Sequence, residues 1–580
     1  MSTLPAPFGA LTVREKIGQT CQIHGKEIGG LDPRGLADYF ARRPVGSLFL
    51  GSEVIGSASG GHEALRAFIG ECQTASRLSL SIAGDLENGA GGAIRGLTTF
   101  PHLLALGALD DPRAAYEYGR WTAVEACRIG FNWTFGPVVD LCLNWLNPVV
   151  NIRSLGQFPE RVAELAAALI RGCQEHGLSA TAKHFPGDGV DFRDQHLCVS
   201  VNALSREEWR RTFGQVYESC FASGVHAVMA GHVALPWLDR AAGTGGTPLP
   251  ATTSRPILHR LLREEMGYDG VVVSDALIMA GFRGRAEARE DLIVEAFNAG
   301  IDVMLWPGAD YFEIMERALE RGRISEQRLD QSVERILTMK ARQGLDVRLS
   351  PATVPAARPV ALLSGPDPAA AKFSEAVAER SLTLVENRRG LLPLDPRRTR
   401  RLQVLLATPV ETNAEKRLEP LLQALRERGI ETTFQVNGNC LDLRRKEEAG
   451  ERWDALLVLF ELGIHGLKNT MRPTGAMAEV LWTVQGLETV QPIIVSCGSP
   501  YLLYDTPWAE TYINAHSYGP STYRAIVRAL FGEIPFAGVS PVDLQVSWTS
   551  SDGRSPLPPA IPAPSPQAAV PGIELAGLPR

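Results

Sequence analysis

Short apolar runs rich in β-branched residues alternate with amphipathic stretches of helical length through the first 345 residues, and this alternation confines the chain to an α/β fold with a largely parallel sheet. The runs are Val45 to Leu50, Leu80 to Ala83, Asn132 to Val139, Leu178 to Ala182, Ala227 to Ala230, Gly270 to Val273 and Ile301 to Leu305. The intervening amphipathic segments include Arg113 to Ile129, Pro159 to His176, Arg206 to Ala222, Pro256 to Met266 and Arg285 to Ala299. With an eighth run at Cys21 to His24, the series fits a (β/α)8 barrel better than an open sheet, because about 250 residues is typical of such barrels and insertions lengthen them. The expected barrel spans residues 1–345.

A Pro- and Ala-rich stretch at 346–359 reads as a linker, and a second alternating series follows over 360–550. Strands are expected at Leu402 to Ala407, Thr432 to Val436, Ala455 to Phe460, Pro492 to Cys497 and Thr511 to Ala515. Helices are expected at Lys416 to Arg428, Ala476 to Leu487 and Ser521 to Phe531, giving a smaller three-layer α/β sandwich of flavodoxin type. The last stretch, 551–580, carries seven prolines between Ser555 and Pro571 and reads as an extended, disordered tail.

Composition narrows the functional class. With 58 basic against 65 acidic residues the net charge is -7, so no general attraction to nucleic acid or an anionic membrane is built in. No run of eighteen apolar residues and no leader-like amino terminus is present, which reads as a soluble cytoplasmic chain with no membrane partner. Nine scattered cysteines, none in a C-x-x-C pair, argue against a disulfide framework or a zinc site and for a reducing compartment.

Four segments concentrate polar residues where barrel strands should end. Lys183-His-Phe-Pro-Gly-Asp-Gly-Val-Asp-Phe-Arg-Asp-Gln-His196 follows a buried strand directly, and its Pro and Gly residues force a tight loop at the barrel mouth. Within it Asp194 sits two residues from His196, close enough to orient the imidazole and raise its basicity. Gly270-Val-Val-Val-Ser-Asp-Ala-Leu277 holds Asp275 at the end of an apolar strand, where it serves equally as a rigid nucleophile or as a helix N-cap. Ser81-Ile-Ala-Gly-Asp-Leu-Glu87 offers Asp85 and Glu87 either to a sugar or metal or to plain capping. Arg153 follows Asn147-Pro-Val-Val-Asn-Ile152 and presents a forked pair of hydrogen-bond donors. His226 and His232 lack ligand spacing around an acidic partner, so no metal and no cofactor is expected. Cys198 has no dedicated base and reads as a loop cysteine.

Together these segments resemble glycoside hydrolase family 3, in particular the bacterial NagZ-type β-N-acetylhexosaminidases. The resemblance rests on Lys183-His-Phe-Pro-Gly with Asp194-Gln-His196, on Ser274-Asp275, and on Gly130-Phe-Asn-Trp-Thr-Phe-Gly-Pro-Val-Val-Asp140. Met229-Ala-Gly-His-Val233 and, in the second domain, Gly498-Ser-Pro-Tyr-Leu502 extend it to about residues 10–545. It implies a retaining enzyme in which Asp275 is the nucleophile, His196 the acid/base and Asp194 the group that orients it. It further implies that Asp85, Arg153, Lys183 and His184 hydrogen-bond the sugar.

Two departures from the family pattern stand out. Asp188 replaces a second His, and Asp85-Leu-Glu-Asn-Gly-Ala-Gly-Gly-Ala-Ile-Arg95 carries an insertion that leaves open whether Glu87 or Arg95 faces the pocket. The expected activity is exo-acting release of N-acetylglucosamine from cell-wall or chitin-derived saccharides, with a small saccharide as the partner and the oligomeric state left open. A phosphorylase and a β-glucosidase are the alternatives within carbohydrate chemistry. A non-catalytic sugar-binding protein on the same scaffold is the alternative outside it.

Overall fold

Eight parallel strands form the first half of the molecule: β1 (Cys21–His24), β2 (Ser47–Phe49), β3 (Ser81–Gly84), β4 (Trp133–Thr134), β5 (Thr181–Phe185), β6 (Ala227–Ala230), β7 (Val271–Ser274) and β8 (Met304–Leu305). They pair in the order β8-β1-β2-β3-β4 and β5-β6-β7. Isolated parallel bridges from Trp133 to Ser179 and from Val273 to Val303 join the two groups, so the sheet curls toward itself. The computed structural model describes residues 8–51, 61–240, 248–284, 288–345, 365–464, 470–485, 487 and 490–544. The expected linker at 346–359 and tail at 551–580 lie outside them.

Side-chain alternation explains the curl. Ile23, Leu48, Ile82, Val228 and Val272 point outward into the core shared with the helices. Phe49, Ala83, Trp133, Met229, Val273 and Leu305 point inward and fill the concave side. Ile336 and Met339, from the helix Glu326–Arg342, join this inner cluster. The surrounding helices start and stop where local chemistry dictates. Asp111 accepts from the Arg113 and Ala114 amides ahead of Pro112–Ile129, and Gly130 ends that helix with a positive φ.

Three expectations are refined. The run Asn132 to Val139 is a strand only over Trp133–Thr134, because Gly136 and Pro137 interrupt it and Pro137 has no N–H for the ladder. Pro256–Glu265 is helical but wound in wider i→i+5 turns, as is Arg210–Gly214 within the expected helix Arg206 to Ala222. The start of the segment expected at Arg285 lies outside the described residues, and the helix there is Arg289–Ala299.

The second sheet comprises β9 (Thr383–Asn387), β10 (Arg401–Ala407), β11 (Glu431–Val436), β12 (Ala455–Phe460), β13 (Pro492–Ser496) and β14 (Thr511–Asn514). Their order is β9-β14-β13-β12-β10-β11, parallel except where β9 pairs antiparallel with β14. All five expected strands form in flavodoxin-like order, and β9 adds an edge that alternation did not reveal. This sheet has its own core around Leu402, Val404, Leu457, Ile493 and Ile513. It meets the first half through Tyr501, whose hydroxyl donates to Cys142 O at 3.2 Å, and through Asn151, whose amide donates to Ser499 Oγ at 3.2 Å.

Candidate active site

The carboxyl ends of the curled sheet surround a cavity of about 210 Å3 lined by Asp85, Arg153, Lys183, His184, His196 and Asp275 on its polar side. These six come from segments spread over almost two hundred residues of chain. Strand direction brings them together: Lys183 and His184 belong to β5, Asp85 directly follows β3, and Asp275 directly follows β7. Asp194 stands behind His196 and is fully buried.

The polar wall is organised by Glu87, which sequence reasoning left undecided against Arg95. Glu87 takes a forked pair of hydrogen bonds from Arg153, at 2.8 Å from Nε and 2.7 Å from Nη2, and an ion pair with Lys183 Nζ at 2.6 Å. Burial would raise its pKa, but Arg153 and Lys183 outweigh burial and hold it below the ordinary carboxylate range. Lys183 also reaches Asp85 at 3.0 Å. The Lys183 side chain is 3% exposed whereas that of Asp85 is 52% exposed, so of this group Asp85 opens to solvent and to a ligand. Burial lowers the Lys183 pKa, yet Asp85 and Glu87 raise it further, and the ammonium stays charged. Arg95 is exposed and does not line the cavity.

The opposite edge carries the candidate chemistry. The Asp275 carboxylate lies 4.0 Å from His184 Nε2 and accepts from the Ala276 amide at 2.7 Å. Burial pushes its pKa up, but His184, His232 and the Ala276 N–H together bring it below the usual value, so it is ionised at neutral pH. His196 Nδ1 is 2.6 Å from Asp194 Oδ1, which leaves Nε2 for a substrate. Burial lowers the His196 pKa, and the Asp194 hydrogen bond and charge more than reverse this, so the net shift is upward.

Asp140 is the functional residue that sequence reasoning passed over. Its Oδ2 lies 2.6 Å from His184 Nδ1, and its Oδ1 accepts from the amides of His184 at 3.0 Å and Asp188 at 2.8 Å. It therefore fixes the His184 ring and the turn after β5. Its place at the end of the Gly130 to Asp140 segment was the available signal. Asp188 is buried, not solvent-facing: burial and the nearby Asp140 carboxylate push its pKa up to about 7. Its Oδ1 accepts from Asn147 Nδ2 at 3.0 Å and from the Gly189 amide at 2.6 Å, so it ties the loop down.

Backbone constraints hold that loop in place. Gly189 has φ +98°, and a Cβ there would lie 2.0 Å from Leu141 O. Ser200–Val201 pairs with Val233–Ala234, and His196 O accepts from the Ala280 amide at 3.0 Å, so the segment bearing His196 is anchored on two sides. His232 points at Thr252 and Ala276 O at 3.1 Å each, and burial lowers its pKa, in keeping with a packing role. Among the described residues no group of three or more His, Cys, Asp or Glu is arranged to hold a metal, and no helix is long and apolar enough to cross a membrane.

Residues 12–339 match the description "Glycosyl hydrolase family 3 N terminal domain". The chain belongs to glycoside hydrolase family 3. A protein of Cellulomonas fimi described as a β-N-acetylglucosaminidase/β-glucosidase is 35% identical over 492 residues, covering 81% of this chain and 85% of its own. Two solved structures are similar over most of the chain. One, titled a β-glucoside phosphorylase, BglX, bound to 2FGlc, has TM-score 0.80 and 29% identity and covers 92% of this chain and 95% of its own. The other, titled a glycoside hydrolase family 3 β-N-acetylglucosaminidase from Paenibacillus, has TM-score 0.79 and 27% identity and covers 93% and 100%. The chain is thus a family 3 glycosidase.

Proposed function

We propose that this family 3 enzyme is a retaining, exo-acting β-N-acetylglucosaminidase that removes terminal β-linked N-acetylglucosamine from cell-wall or chitin-derived saccharides in the cytoplasm. In this reading the curled sheet is a closed (β/α)8 barrel over residues 1–345, with the sandwich over 360–550 as its companion. The observation that carries the reading is that an ionised carboxylate, Asp275, and an imidazole backed by a carboxylate, His196 with Asp194, line one cavity with four sugar-binding candidates.

The chemistry follows from that arrangement. Asp85, Arg153, Lys183 and His184 hold the sugar hydroxyls and place the anomeric carbon over Asp275. A carboxylate oxygen of Asp275 forms a bond to that carbon as the glycosidic C–O bond breaks, and the proton on His196 Nε2 passes to the departing oxygen. Water then attacks the same carbon, gives a proton to Nε2, and displaces Asp275. Two inversions leave the configuration retained.

Phosphorolysis is the second reading, favoured by the likeness to a β-glucoside phosphorylase. After donating its proton His196 is neutral, so it does not repel an incoming phosphate as a carboxylate would. Turnover of p-nitrophenyl N-acetyl-β-glucosaminide and of the β-glucoside, each with and without phosphate, tests both readings. Preference for the glucosaminide with free N-acetylglucosamine as product supports hydrolysis, and sugar 1-phosphate supports phosphorolysis. Asp275→Ala is expected to lose about 10⁴-fold or more in kcat. Undiminished turnover by that variant would sink the mechanism.

A further inference from the structure

The loop that carries His196 leaves β5 at Phe185 and returns at Ser200–Val201, and one buried side chain joins its two ends to a third segment. Asp188 Oδ1 accepts from Ser200 Oγ at 3.3 Å, across the loop, and from Asn147 Nδ2 at 3.0 Å, on the segment that leads into Arg153. Asn147 Nδ2 also donates to Asp191 O at 2.8 Å, and Asn144 Nδ2 to Val190 O at 2.9 Å, so loop and segment are laced together around Asp188. His196 and Arg153 therefore share one internal brace.

The charge state of that brace follows from its surroundings. Asp188 is 1% exposed, and its Oδ2 has no hydrogen-bond partner among the described residues. The other buried carboxylate oxygen without a hydrogen bond there, Glu510 Oε2, has Arg389 Nε at 2.6 Å, whereas no cation pairs with Asp188 among the described residues. An ionised carboxylate out of water needs donors on both oxygens, and a neutral carboxyl needs far less. Asp140 is the contrast: it lies against the Asp188 amide, and both of its oxygens meet nitrogens of His184 and Asp188. Burial and repulsion by Asp140 both oppose a charge on Asp188 and raise its pKa to about 7, and Gly189, His184 and Asn147 draw it down without cancelling the rise. The remaining titratable groups around it add no positive charge. The Tyr217 phenol, from the helix Gln215–Ala222, is buried and its pKa is raised, and Asp191, on the loop itself, is paired with Arg193 Nε at 2.7 Å.

We propose that Asp188 is a positioning residue that works as a neutral acid, bracing the His196 loop against the Arg153 segment, and that its ionisation releases the brace. Oδ1 is then the carbonyl oxygen that accepts, and Oδ2 the hydroxyl. Loss of the proton sets two buried negative charges side by side and leaves Oδ2 bare, so the loop must open to water to hydrate it. The positioning role rests on the reading of the cavity as a glycosidase site, and the neutral state does not.

Asp188→Asn keeps the accepting oxygen and cannot ionise. The readout is the ratio of its kcat/KM to that of the wild type, followed from about pH 5.5 to about pH 8.5 on whichever p-nitrophenyl substrate, glucosaminide or glucoside, the wild type cleaves better. His196 titrates in both proteins, so its limb cancels, and above about pH 7 the ratio is expected to climb by about tenfold per pH unit. A ratio that does not vary with pH overturns the proposal, because a permanent carboxylate or a merely structural side chain would give that result. Asp188→Ala removes the brace and should lose about tenfold in kcat/KM at about pH 6, and full activity there overturns the bracing role. Infrared spectroscopy reads the charge without substrate. The difference between wild type and Asp188→Asn should show the carbonyl stretch of a protonated carboxyl at about pH 6 and carboxylate bands at about pH 8.5, and carboxylate bands at both overturn the neutral state. Wild-type enzyme that cleaves neither substrate refutes the proposed function and the positioning role with it, while the infrared result still decides the neutral state.

Discussion

Two largely parallel sheets in one chain end in polar residues, yet they use them in opposite ways. At the carboxyl ends of the curled sheet, Asp85, Lys183, His184 and Asp275 converge on one cavity. At the same ends of the second sheet, Glu461 after β12 is bound by Arg417 at 2.9 Å and by the Tyr523 hydroxyl, and Ser496 at the end of β13 donates to Ser499 O at 2.6 Å. The difference is geometric. A sheet that curls on itself aims its strand ends at a common centre, whereas a twisted open sheet fans them apart, and each polar group is then satisfied by its own neighbours. The second sheet acts on the first indirectly: Ser499 and Tyr501, just past β13, grip the segment from Cys142 to Asn151 that leads into Arg153.

The sharpest way to break this comparison is to remove one buried carboxylate from each sheet. Glu87→Gln leaves Arg153 and Lys183 without their shared counter-charge, and kcat/KM is expected to fall roughly 10³-fold, mostly through KM. Glu461→Gln removes a buried carboxylate paired to Arg417, and thermal unfolding should show a loss of about 1 to 2 kcal/mol with kcat/KM unchanged. Equal effects on catalysis would mean that the second sheet contributes directly to the site.

A smaller effect is expected from Asp194→Asn, at roughly 10²-fold in kcat. The sign of its pH dependence is fixed. The Asp194 carboxylate holds the His196 pKa above its ordinary value despite burial, so the imidazolium donor persists to higher pH in the wild type. Removing that charge lowers the pKa, and the alkaline limb of the kcat/KM profile should move to lower pH. A limb that stays in place would assign the essential acid to another group. The smallest change is Tyr501→Phe, which deletes the hydrogen bond to Cys142 O. It should raise KM only a few-fold and lower stability by about 1 kcal/mol, as measured by steady-state kinetics and denaturant unfolding.

Much of the architecture was legible because it is written locally. Alternation of apolar runs with amphipathic segments marked the strands of both sheets to within a few residues, since burial on both faces of a parallel strand requires a continuous apolar run. The antiparallel edge β9 was not legible: four of its five residues, Leu384, Val385, Glu386 and Asn387, are only half-buried, and it carries no such run. The site divides along the same line. Asp194 and His196 are two residues apart, so their pairing could be read from spacing. The link between Glu87 and Arg153 spans 66 positions and that between Asp140 and His184 spans 44, and no local pattern reports either.

By itself the sequence determined that strands and helices alternate, that polar residues cluster at particular strand ends, and that His196 has Asp194 beside it. These depend on periodicity and short-range spacing, which the covalent chain fixes. The tertiary structure decided that Glu87 and not Arg95 anchors the polar wall, that Asp188 is buried rather than facing solvent, and that Asp140 fixes the His184 ring. Each of these depends on which distant strand ends the curl of the sheet brings together, and only the folded backbone sets those distances.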